Sequence, residues 1–387
     1  MHLVEAYATN CGLKIDKPFI LEKYFPLDLE KFITFSCSSE QPKTYDYWPD
    51  VSDIILPYLK NENISILQIG RQADKIFPGA FSTNGQATPN HMAYLIKRSL
   101  LHFGTDDFSN HIANIYDKRI VSLYSNSISN NFKPYFGDRS KHKLIESPRS
   151  GNRPTCAQME NPKTINQIKP EEIACEILDS LNIKHKIKYK TLFMGHSYFN
   201  KIVETVPNQA VNITNLRASN IIVRMDFFFN EEFLIKQLQV CPCSIVTNKP
   251  INIKILTDFK KNVKELVYFI DEGHDPQFVD SLQKKAINYA LLSRESEEDL
   301  EKYKIYYMDY GIIYSKKIPV NELLNKNENL FYKSSKLTLS DGKMYPSRYA
   351  YENNLPIKHQ NEISKVVKDP LLFEESEHFY FLEKVID

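Results

Sequence analysis

Short apolar strands alternate with amphipathic helices along most of the 387-residue chain, and this alternation constrains the fold more than any other feature. A first block runs from KFITFSCSS at residues 31–39 to KPEEIACEILDSLN at 169–182, with the apolar runs ISILQIG, LLHFG and RIVSLYS between them. Helices are predicted at WPDVSDIILPYLKN and at TPNHMAYLIKRS, where Thr88 is the expected N-cap and Pro89 the first residue. Apolar strands separated by helices are typical of a parallel sheet that helices cover on both faces. The sequence therefore predicts an α/β fold.

The pattern restarts after a polar, basic stretch at residues 184–190, where we expect a domain boundary. The second block has predicted strands at KTLFMG, SNIIVRMDF, CSIVTN, NIKILTD, ELVYFID and KIYYMDYG, and predicted helices at SYFNKIVETV and NEEFLIKQLQV. DPQFVDSLQKKAINYALLS is predicted to be a helix that runs into a strand. We expect two Rossmann-like parallel-sheet domains at 1–183 and 190–315. Residues 316–387 are rich in turn signals and are predicted to form an irregular C-terminal extension that packs on the body.

Composition restricts the classes of protein that remain. Hydrophobic residues make up 42% of the chain and charged residues 25%, which is enough for a sizeable core. The net charge of +1 creates no global attraction for nucleic acid or an anionic membrane, although a local basic groove stays open. The chain has no apolar run long enough for a membrane span, and its start lacks the pattern of a signal peptide. We expect a cytoplasmic protein whose six scattered cysteines are free thiols.

A short acidic turn follows the predicted strand LLHFG. Asp106 and Asp107 lie in this turn, and His111 lies in the first turn of the next helix. A helix N-terminus offers free N–H groups and a partial positive charge to a phosphate, to which His111 could also donate. The alternative is structural, with Asp107 or Ser109 capping the helix and His111 packing on the sheet.

Polar residues also follow the two preceding strands. Ser38 and Ser39 end KFITFSCSS and Lys43 follows it. Hydroxyls with a lysine at a strand end could hold a diphosphate or could form a plain surface loop. Gly70 ends ISILQIG and is followed by Arg71. Ligands of open α/β sheets bind at the carboxyl ends of the strands, so all three turns are predicted to share one site.

In this order and spacing, residues 30–180 resemble the heptosyltransferases of glycosyltransferase family 9. The resemblance rests on the serines and Lys43 before Trp48-Pro49, on ILQIG, on Asp106 five residues before His111, and on RIVSLYS with a later proline. It implies the GT-B fold and a nucleotide-sugar donor. The donor-binding residues that it implies, together with the strand-end argument, are Ser38, Ser39, Lys43, Gly70, Arg71, Asp106, Asp107 and His111.

The sequence departs from the family in two respects. Asp107 and Phe108 stand where the family has a small residue and a glycine, which adds a negative charge beside the implied diphosphate. The nucleotide-binding domain also comes first along the chain rather than second, which implies circular permutation or an unrelated second unit.

The resemblance implies a glycosyltransferase that moves a sugar from a nucleotide-sugar to an acceptor hydroxyl. We expect inversion without a metal and without a cofactor, since the nucleotide-sugar is a substrate. The base for the acceptor hydroxyl is predicted to be His196 or Asp226, although both residues could equally be structural. Two alternatives remain open: a non-catalytic GT-B-like scaffold that binds carbohydrate or protein, and a nucleic-acid-modifying transferase such as a viral one.

The C-terminal segment carries basic residues interleaved with tyrosines. Lys336, Lys343 and Arg348 are interleaved with Tyr345, Tyr349 and Tyr351. Such interleaving serves nucleic-acid or sugar binding in some proteins. The alternative that we favour is an ordinary solvated surface.

Overall fold

The computed structural model divides into two compact units, Met1–Lys190 and Thr191–Ile386. The residues that the structure describes are 1–37, 40–271, 275–293, 295, 300, 303, 307, 312–314, 330–359, 362–367 and 375–385. Within this part of the chain, no helix is long and apolar enough to cross a membrane.

The first unit alternates strands with helices as predicted. Its helices are α1 (Leu3–Cys11), α2 (Trp48–Asn61), α3 (Pro89–Arg98), α4 (Phe108–Ile115), α5 (Ser129–Phe132) and α6 (Pro170–Ser180). Its strands are β1 (Phe32–Ser36), β2 (Ser65–Gln68), β3 (Phe81–Ser82), β4 (Leu101–Thr105), β5 (Arg119–Tyr124) and β6 (His142–Glu146). The predicted start of α3 is confirmed, because Thr88 is its N-cap and Pro89 its first residue.

The six strands form one sheet in the order β3-β2-β1-β4-β5-β6, and every pairing in it is parallel. The chain builds outward from β1 to one edge through β2 and β3, and then crosses to the other side of β1 to add β4, β5 and β6. The direction of winding therefore reverses between β1 and β4. Such a reversal leaves a crevice at the carboxyl ends of these two strands.

Aromatic packing fixes α2 against the centre of this sheet. The Trp48 ring lies 4.9 Å from the ring of Phe35 in β1 and 6.1 Å from the ring of Phe103 in β4. All three side chains are buried. A second core cluster contains Phe32, apolar residues of α3, and Ile112 and Ala113 of α4. Helix packing on apolar strands is what their near-continuous hydrophobic sequences predict.

The second unit is also of the α/β class. Its helices are α7 (Ile213–Leu216), α8 (Glu231–Val240), α9 (Ile253–Asp258), α10 (Pro276–Lys284) and α11 (Arg348–Glu352). Its strands are β7 (Tyr189–Met194), β8 (Ile202–Thr205), β9 (Asn220–Arg224), β10 (Cys243–Thr247), β11 (Val263–Phe269), β12 (Tyr289–Ser293), β13 (Ile312–Tyr314), β14 (Leu330–Ser334), β15 (Lys336–Ser340), β16 (Lys343–Tyr345), β17 (Ser364–Lys365) and β18 (Phe379–Lys384).

Two sheets organise this unit. The larger has the order β13-β12-β11-β10-β9-β8-β15-β16 and is parallel except for the β15–β16 pair. The smaller has the order β17-β14-β18-β7. The predicted class of two parallel-sheet α/β units is confirmed.

The C-terminal segment differs from the predicted irregular extension. Among its described residues, β15 lies beside β8 in the large sheet, while β14 and β18 pair antiparallel in the small one. Turn residues such as Asp341-Gly342 connect these strands rather than replace them. The segment KLTLSDGKMY is thus a hairpin whose turn signals dominated the sequence pattern.

Two shorter predictions in the second unit are wrong. Residues 197–206, predicted as a helix, contain β8, because Ile202 and Val203 pair with strands on both sides. Residues 252–258, predicted as a strand, contain α9, whose start is capped by the Asn252 side chain accepting from the Lys254 amide at 3.0 Å. The predicted strand KIYYMDYG lies almost entirely outside the described residues.

Candidate functional site

A cavity of about 520 Å³ lies in the first unit at the carboxyl ends of β1, β2 and β4. Its lining includes six of the residues that the sequence analysis singled out from three separate turns: Lys43, Gly70, Arg71, Asp106, Asp107 and His111. Ser38 and Ser39, from the same prediction, lie outside the described residues. The cavity therefore occupies the crevice that the reversal between β1 and β4 creates.

Close approach of β1 and β4 shapes the floor of this cavity. Ser36 at the end of β1 is the partner of Gly104 in the parallel register. A Cβ atom at position 104 would lie 1.8 Å from the carbonyl oxygen of Ser36. Only glycine is compatible with this separation, so the glycine of LLHFG serves strand packing at the site.

Lys43 is held by carboxylates on the cavity wall. Its Nζ lies 3.3 Å from Oδ2 of the buried Asp106 and 3.2 Å from Oε2 of the exposed Glu40. Burial works to lower the pKa of Lys43, but Asp106 and Glu40 outweigh it and raise the pKa. Burial also raises the pKa of Asp106, against the opposing effect of Lys43. The lysine is thus a firmly charged cation that shares its charge with two acids.

Asp107 caps α4, as the structural alternative for this turn proposed. Its Oδ1 accepts a hydrogen bond from the Ser109 amide at 2.7 Å, and its Oδ2 accepts one from the Ser36 hydroxyl at 2.9 Å. The Ser109 hydroxyl also donates to Oδ1. Burial raises the pKa of Asp107 although these donors oppose the rise. The carboxylate still belongs to the cavity lining.

A buried histidine, which the sequence analysis did not select, supports this cap from inside the sheet. His102 is 0% exposed, with Nε2 at 2.7 Å from the Ser109 hydroxyl and Nδ1 at 3.0 Å from the Thr34 hydroxyl. Burial lowers the pKa of His102 to about 3, so the imidazole is neutral. The one available signal was a histidine in the otherwise apolar run LLHFG.

His111 lies in the first turn of α4, at the edge of the cavity. Burial lowers its pKa, with Asp106 opposing the shift. A neutral imidazole can donate one hydrogen bond to a ligand but adds no positive charge. This limits the help that His111 gives to a bound anion.

The N-terminus of the chain completes the cavity wall, which the sequence did not indicate. His2, Leu3 and Val4 at the start of α1 belong to the lining. The His2 ring is anchored by its Nε2 at 2.7 Å from the Lys133 carbonyl oxygen. Asp74 also reaches the lining, and its Oδ2 accepts from the Arg71 amide at 2.7 Å.

The lining carries more negatively charged side chains than a phosphate site requires. Its carboxylates are Glu40, Asp74, Asp106 and Asp107, whereas its lysine and arginine side chains are Lys43 and Arg71. Carboxylates therefore outnumber these cations in the part of the lining that the structure describes. Among the described residues, no group of three His, Cys, Asp or Glu side chains is arranged to hold a metal ion.

The two predicted bases lie in the second unit and not in this lining. The His196 side chain is 60% exposed, with Nε2 at 3.5 Å from Oε2 of Glu377. Both carboxylate oxygens of Asp226 accept hydrogen bonds from Arg224, at 2.8 and 2.7 Å. Asp226 would have to give up this bidentate pair before it could accept a proton from a substrate.

Among the basic residues of the C-terminal segment, Lys336 is not part of a solvated surface, contrary to the favoured alternative, whereas Lys343 is exposed. Lys336 Nζ lies 2.9 Å from Oε1 of Glu204, which is 1% exposed and also accepts from Arg224 at 2.7 Å. The Tyr351 ring stacks on Phe227 at a centroid distance of 5.3 Å. These groups form an ionic and aromatic cluster in the second unit, in which Glu204 and Arg224 are buried and Lys336, Phe227 and Tyr351 are half-buried.

No protein-family model matches the chain, and no curated protein matches it. Among solved structures it is similar to the glycosyltransferase family 9 protein of Veillonella parvula DSM 2008, with 16% identity, a TM-score of 0.32, and coverage of 46% of this chain and 50% of that one. It is similar to E. coli heptosyltransferase WaaC with ADP, with 13% identity, a TM-score of 0.32, and coverage of 46% and 54%.

The E. coli ADP-heptose lipopolysaccharide heptosyltransferase II is similar at 15% identity and a TM-score of 0.31, with coverage of 46% of this chain and 51% of that one. The chain thus spans about half the length of the structures that it resembles. They belong to the family that the sequence motifs indicated. At such identities the likeness concerns the fold alone, and the case for a function rests on this chain's own residues.

Proposed function

We propose that the chain is a glycosyltransferase whose nucleotide-sugar donor binds in the cavity of the first unit. The proposal rests on one observation, that three separate turns of the sheet line the same cavity. Turns after β1, β2 and β4, selected separately in the sequence, line a single cavity where the sheet reverses its winding. Cavities at such reversals are the usual ligand sites of open α/β sheets.

Lys43 and Arg71 are the groups that we assign to the donor's diphosphate. The pair between Lys43 and Glu40 involves a carboxylate side chain that is 64% exposed, and such pairs contribute only about 0–1 kcal/mol. Lys43 can therefore exchange Glu40 for a phosphate at little cost while it keeps Asp106. These two cations on the cavity wall would take the place of a metal ion in stabilising the departing diphosphate.

The transfer that we propose is inverting and needs a base for the acceptor hydroxyl. His196 is the better of the two predicted candidates, since its imidazole is exposed whereas the Asp226 carboxylate is occupied by Arg224. A His196→Gln variant that binds the donor normally but has lost transfer would support this role.

Thermal unfolding of the full chain against a panel of nucleotides and nucleotide-sugars, with and without EDTA, tests the proposal. A ligand at a hundred times its Kd should add about 2.7 kcal/mol to the free energy of unfolding. Lys43→Ala should weaken the binding about tenfold or more, because a hydrogen bond to a charged group is lost. His111→Ala should have a smaller effect, since a neutral imidazole adds no charge.

Lys97→Ala is the matched control. Lys97 belongs to the same unit, pairs with Glu22 at 2.8 Å on the surface and is not part of the cavity lining. If Lys97→Ala and Lys43→Ala reduce the stabilisation by a nucleotide equally, the assignment of Lys43 to the diphosphate is wrong. No stabilisation by any nucleotide would reject the donor site itself.

A second candidate is a non-catalytic scaffold that binds carbohydrate. It is favoured by a specific observation: the cavity carries more carboxylates than cations, and Lys43 is already paired. A scaffold of this kind should be stabilised by free sugars and should respond to no nucleotide. The same panel, extended with mono- and oligosaccharides, separates the two functions.

A further inference from the structure

We propose that Asp107 is a specificity-determining residue that keeps phosphate groups away from the N-terminus of α4 and accepts a hydrogen bond from a hydroxyl- or ammonium-bearing part of the ligand. This inference deepens the proposed function and rests on it, since it states which part of a nucleotide-sugar faces α4. The sugar would face Asp107, and the diphosphate would lie toward the turns after β1 and β2.

The first step concerns the place that Asp107 occupies. A helix N-terminus binds phosphate through free backbone N–H groups. Here the Asp107 carboxylate accepts from the Ser109 amide at 2.7 Å and from the hydroxyl of Ser36 at 2.9 Å. The carboxylate already accepts from one of these N–H groups and from a hydroxyl that a phosphate could use, and its own charge repels a second anion.

The second step concerns rigidity. The Ser36 and Ser109 hydroxyl oxygens lie 2.6 Å apart, and both serines are buried. The buried His102 contacts the Ser109 hydroxyl from behind. Because its hydrogen-bond partners are fixed in the sheet and the helix, the Asp107 carboxylate cannot swing aside to admit a phosphate.

The third step concerns how many further hydrogen bonds the Asp107 carboxylate can accept. A carboxylate offers about four lone-pair positions for hydrogen bonds. Three are used, by the Ser109 amide and by the hydroxyls of Ser109 and Ser36. Asp107 also lines the cavity, so one acceptor position remains for a donor on a ligand. Sugar hydroxyls and ammonium groups are donors of this kind, whereas a fully ionised diphosphate is not.

The fourth step concerns the distribution of charge around the cavity. The turns after β1 and β2 each contribute a cation with a carboxylate, Lys43 with Glu40 and Arg71 with Asp74, whereas the turn after β4 contributes only the carboxylates Asp106 and Asp107. An elongated ligand with one anionic part is therefore oriented with that part toward the first two turns. The aspartate at position 107, which departs from the family pattern, then has a physical role in orienting the ligand.

The test compares the wild-type chain with Asp107→Asn and Asp107→Ser by titration calorimetry against inorganic pyrophosphate, a nucleoside diphosphate and the corresponding nucleotide-sugar. Both variants should bind pyrophosphate and the nucleoside diphosphate about tenfold more tightly, because one negative charge a few ångström away is gone. Both should lose part of the wild-type preference for the nucleotide-sugar. Serine is itself a good N-cap, so Asp107→Ser keeps the helix start.

Asp275→Asn and Asp275→Ser are the matched controls. Asp275 caps α10 in the second unit and accepts from the Gln277 amide at 2.9 Å, so these variants lose a similar cap outside the cavity. They should leave all three affinities unchanged. Their melting temperatures show how much of any effect at Asp107 comes from capping alone.

No gain in pyrophosphate affinity in either Asp107 variant would overturn the proposal, whatever the wild-type chain binds. A gain in pyrophosphate affinity without any nucleotide binding by the wild-type chain would uphold the role of Asp107 and reject the donor site. Failure of the role of Asp107 and failure of the donor site therefore give different results.

Discussion

At the scale of single residues, the cavity is controlled by groups whose charge is set by what surrounds them. Lys43 stays charged because Asp106 and Glu40 outweigh its burial. His102 stays neutral because burial lowers its pKa to about 3. Asp107 is fixed by three donors. Lys43, Asp106 and Asp107 were visible in the sequence, whereas the contacts of Asp107 with Ser36 and of Ser109 with His102 were not.

His102 should make the first unit sensitive to acid. Its pKa in the folded state is about 3, below the ordinary value of 6.5, so below pH 6.5 the unfolded chain binds a proton that the folded chain does not. The stabilisation of the folded state by neutral His102 is complete above pH 6.5. It is lost as the pH falls toward 3, at up to roughly 1.4 kcal/mol per pH unit.

Urea unfolding followed by Trp48 fluorescence measures this effect. Trp48 is the single tryptophan of the chain and packs in the first unit against Phe35. The free energies of unfolding of the wild type and His102→Gln should converge between pH 7.5 and pH 5. A constant difference between the two proteins over this range would show that His102 does not titrate as its burial requires.

At the scale of secondary-structure elements, the sequence was most informative in the first unit. The apolar periodicity and the Thr88-Pro89 start predicted α3, and WPDVSDIILPYLKN coincides with α2. The errors in the second unit fall on short segments that combine apolar and β-branched residues, namely 197–206 and 252–258. In such segments, neighbouring strands and local caps outweigh the periodicity.

Gly104 tests whether the close approach of β1 and β4 builds the site. In Gly104→Ala the new Cβ would lie 1.8 Å from the Ser36 carbonyl oxygen, so the two strands must separate. We expect destabilisation of several kcal/mol, as for other backbone clashes in a core, with loss of ligand binding. Urea unfolding and the nucleotide panel measure the two effects.

Gly12→Ala is the control for this substitution. Gly12 ends α1 with φ +64°, and a Cβ there meets no atom within 4 Å. Gly12→Ala should lower the free energy of unfolding by only about 1 kcal/mol, because of backbone strain. Equal costs for the two variants would mean that the strands at position 104 can adjust without penalty.

At the scale of the whole molecule, the C-terminal segment is an integral part of the second unit. β15 extends the large sheet beside β8, and Lys336 of that strand reaches Glu204 across the pairing. Burial alone would raise the pKa of Glu204, but Arg224 and Lys336 outweigh it and lower the pKa to about 2. The strands of the tail are therefore tied to the rest of the unit by a buried ionic cluster.

Glu204→Gln should destabilise the second unit by about 3–5 kcal/mol near neutral pH, because Lys336 and Arg224 lose a buried partner. The folded-state pKa of Glu204 lies below its ordinary value. Its contribution is therefore complete above about pH 4.5 and is lost as the pH falls toward 2. The penalty should accordingly shrink in acid.

Hydrogen exchange of the β8 and β15 amides at pH 7 measures the loss of stability, and thermal unfolding between pH 7 and pH 3 measures its pH dependence. Lys343→Met, an exposed substitution on β16 of the same sheet, is the control and should change little. Unchanged exchange in Glu204→Gln would mean that the cluster contributes no net stability.

The sequence by itself determined the α/β class, the strands β1, β2, β4 and β5 of the first sheet, and the turns that supply the cavity, because periodicity, caps and strand ends are local properties. Only the tertiary structure decided that Asp107 accepts from Ser36, 71 positions away in the chain, that His102 supports this contact, and that Lys336 pairs with Glu204. Those contacts join residues far apart in the chain. Strand order and register bring them together, and no local pattern in the sequence encodes either.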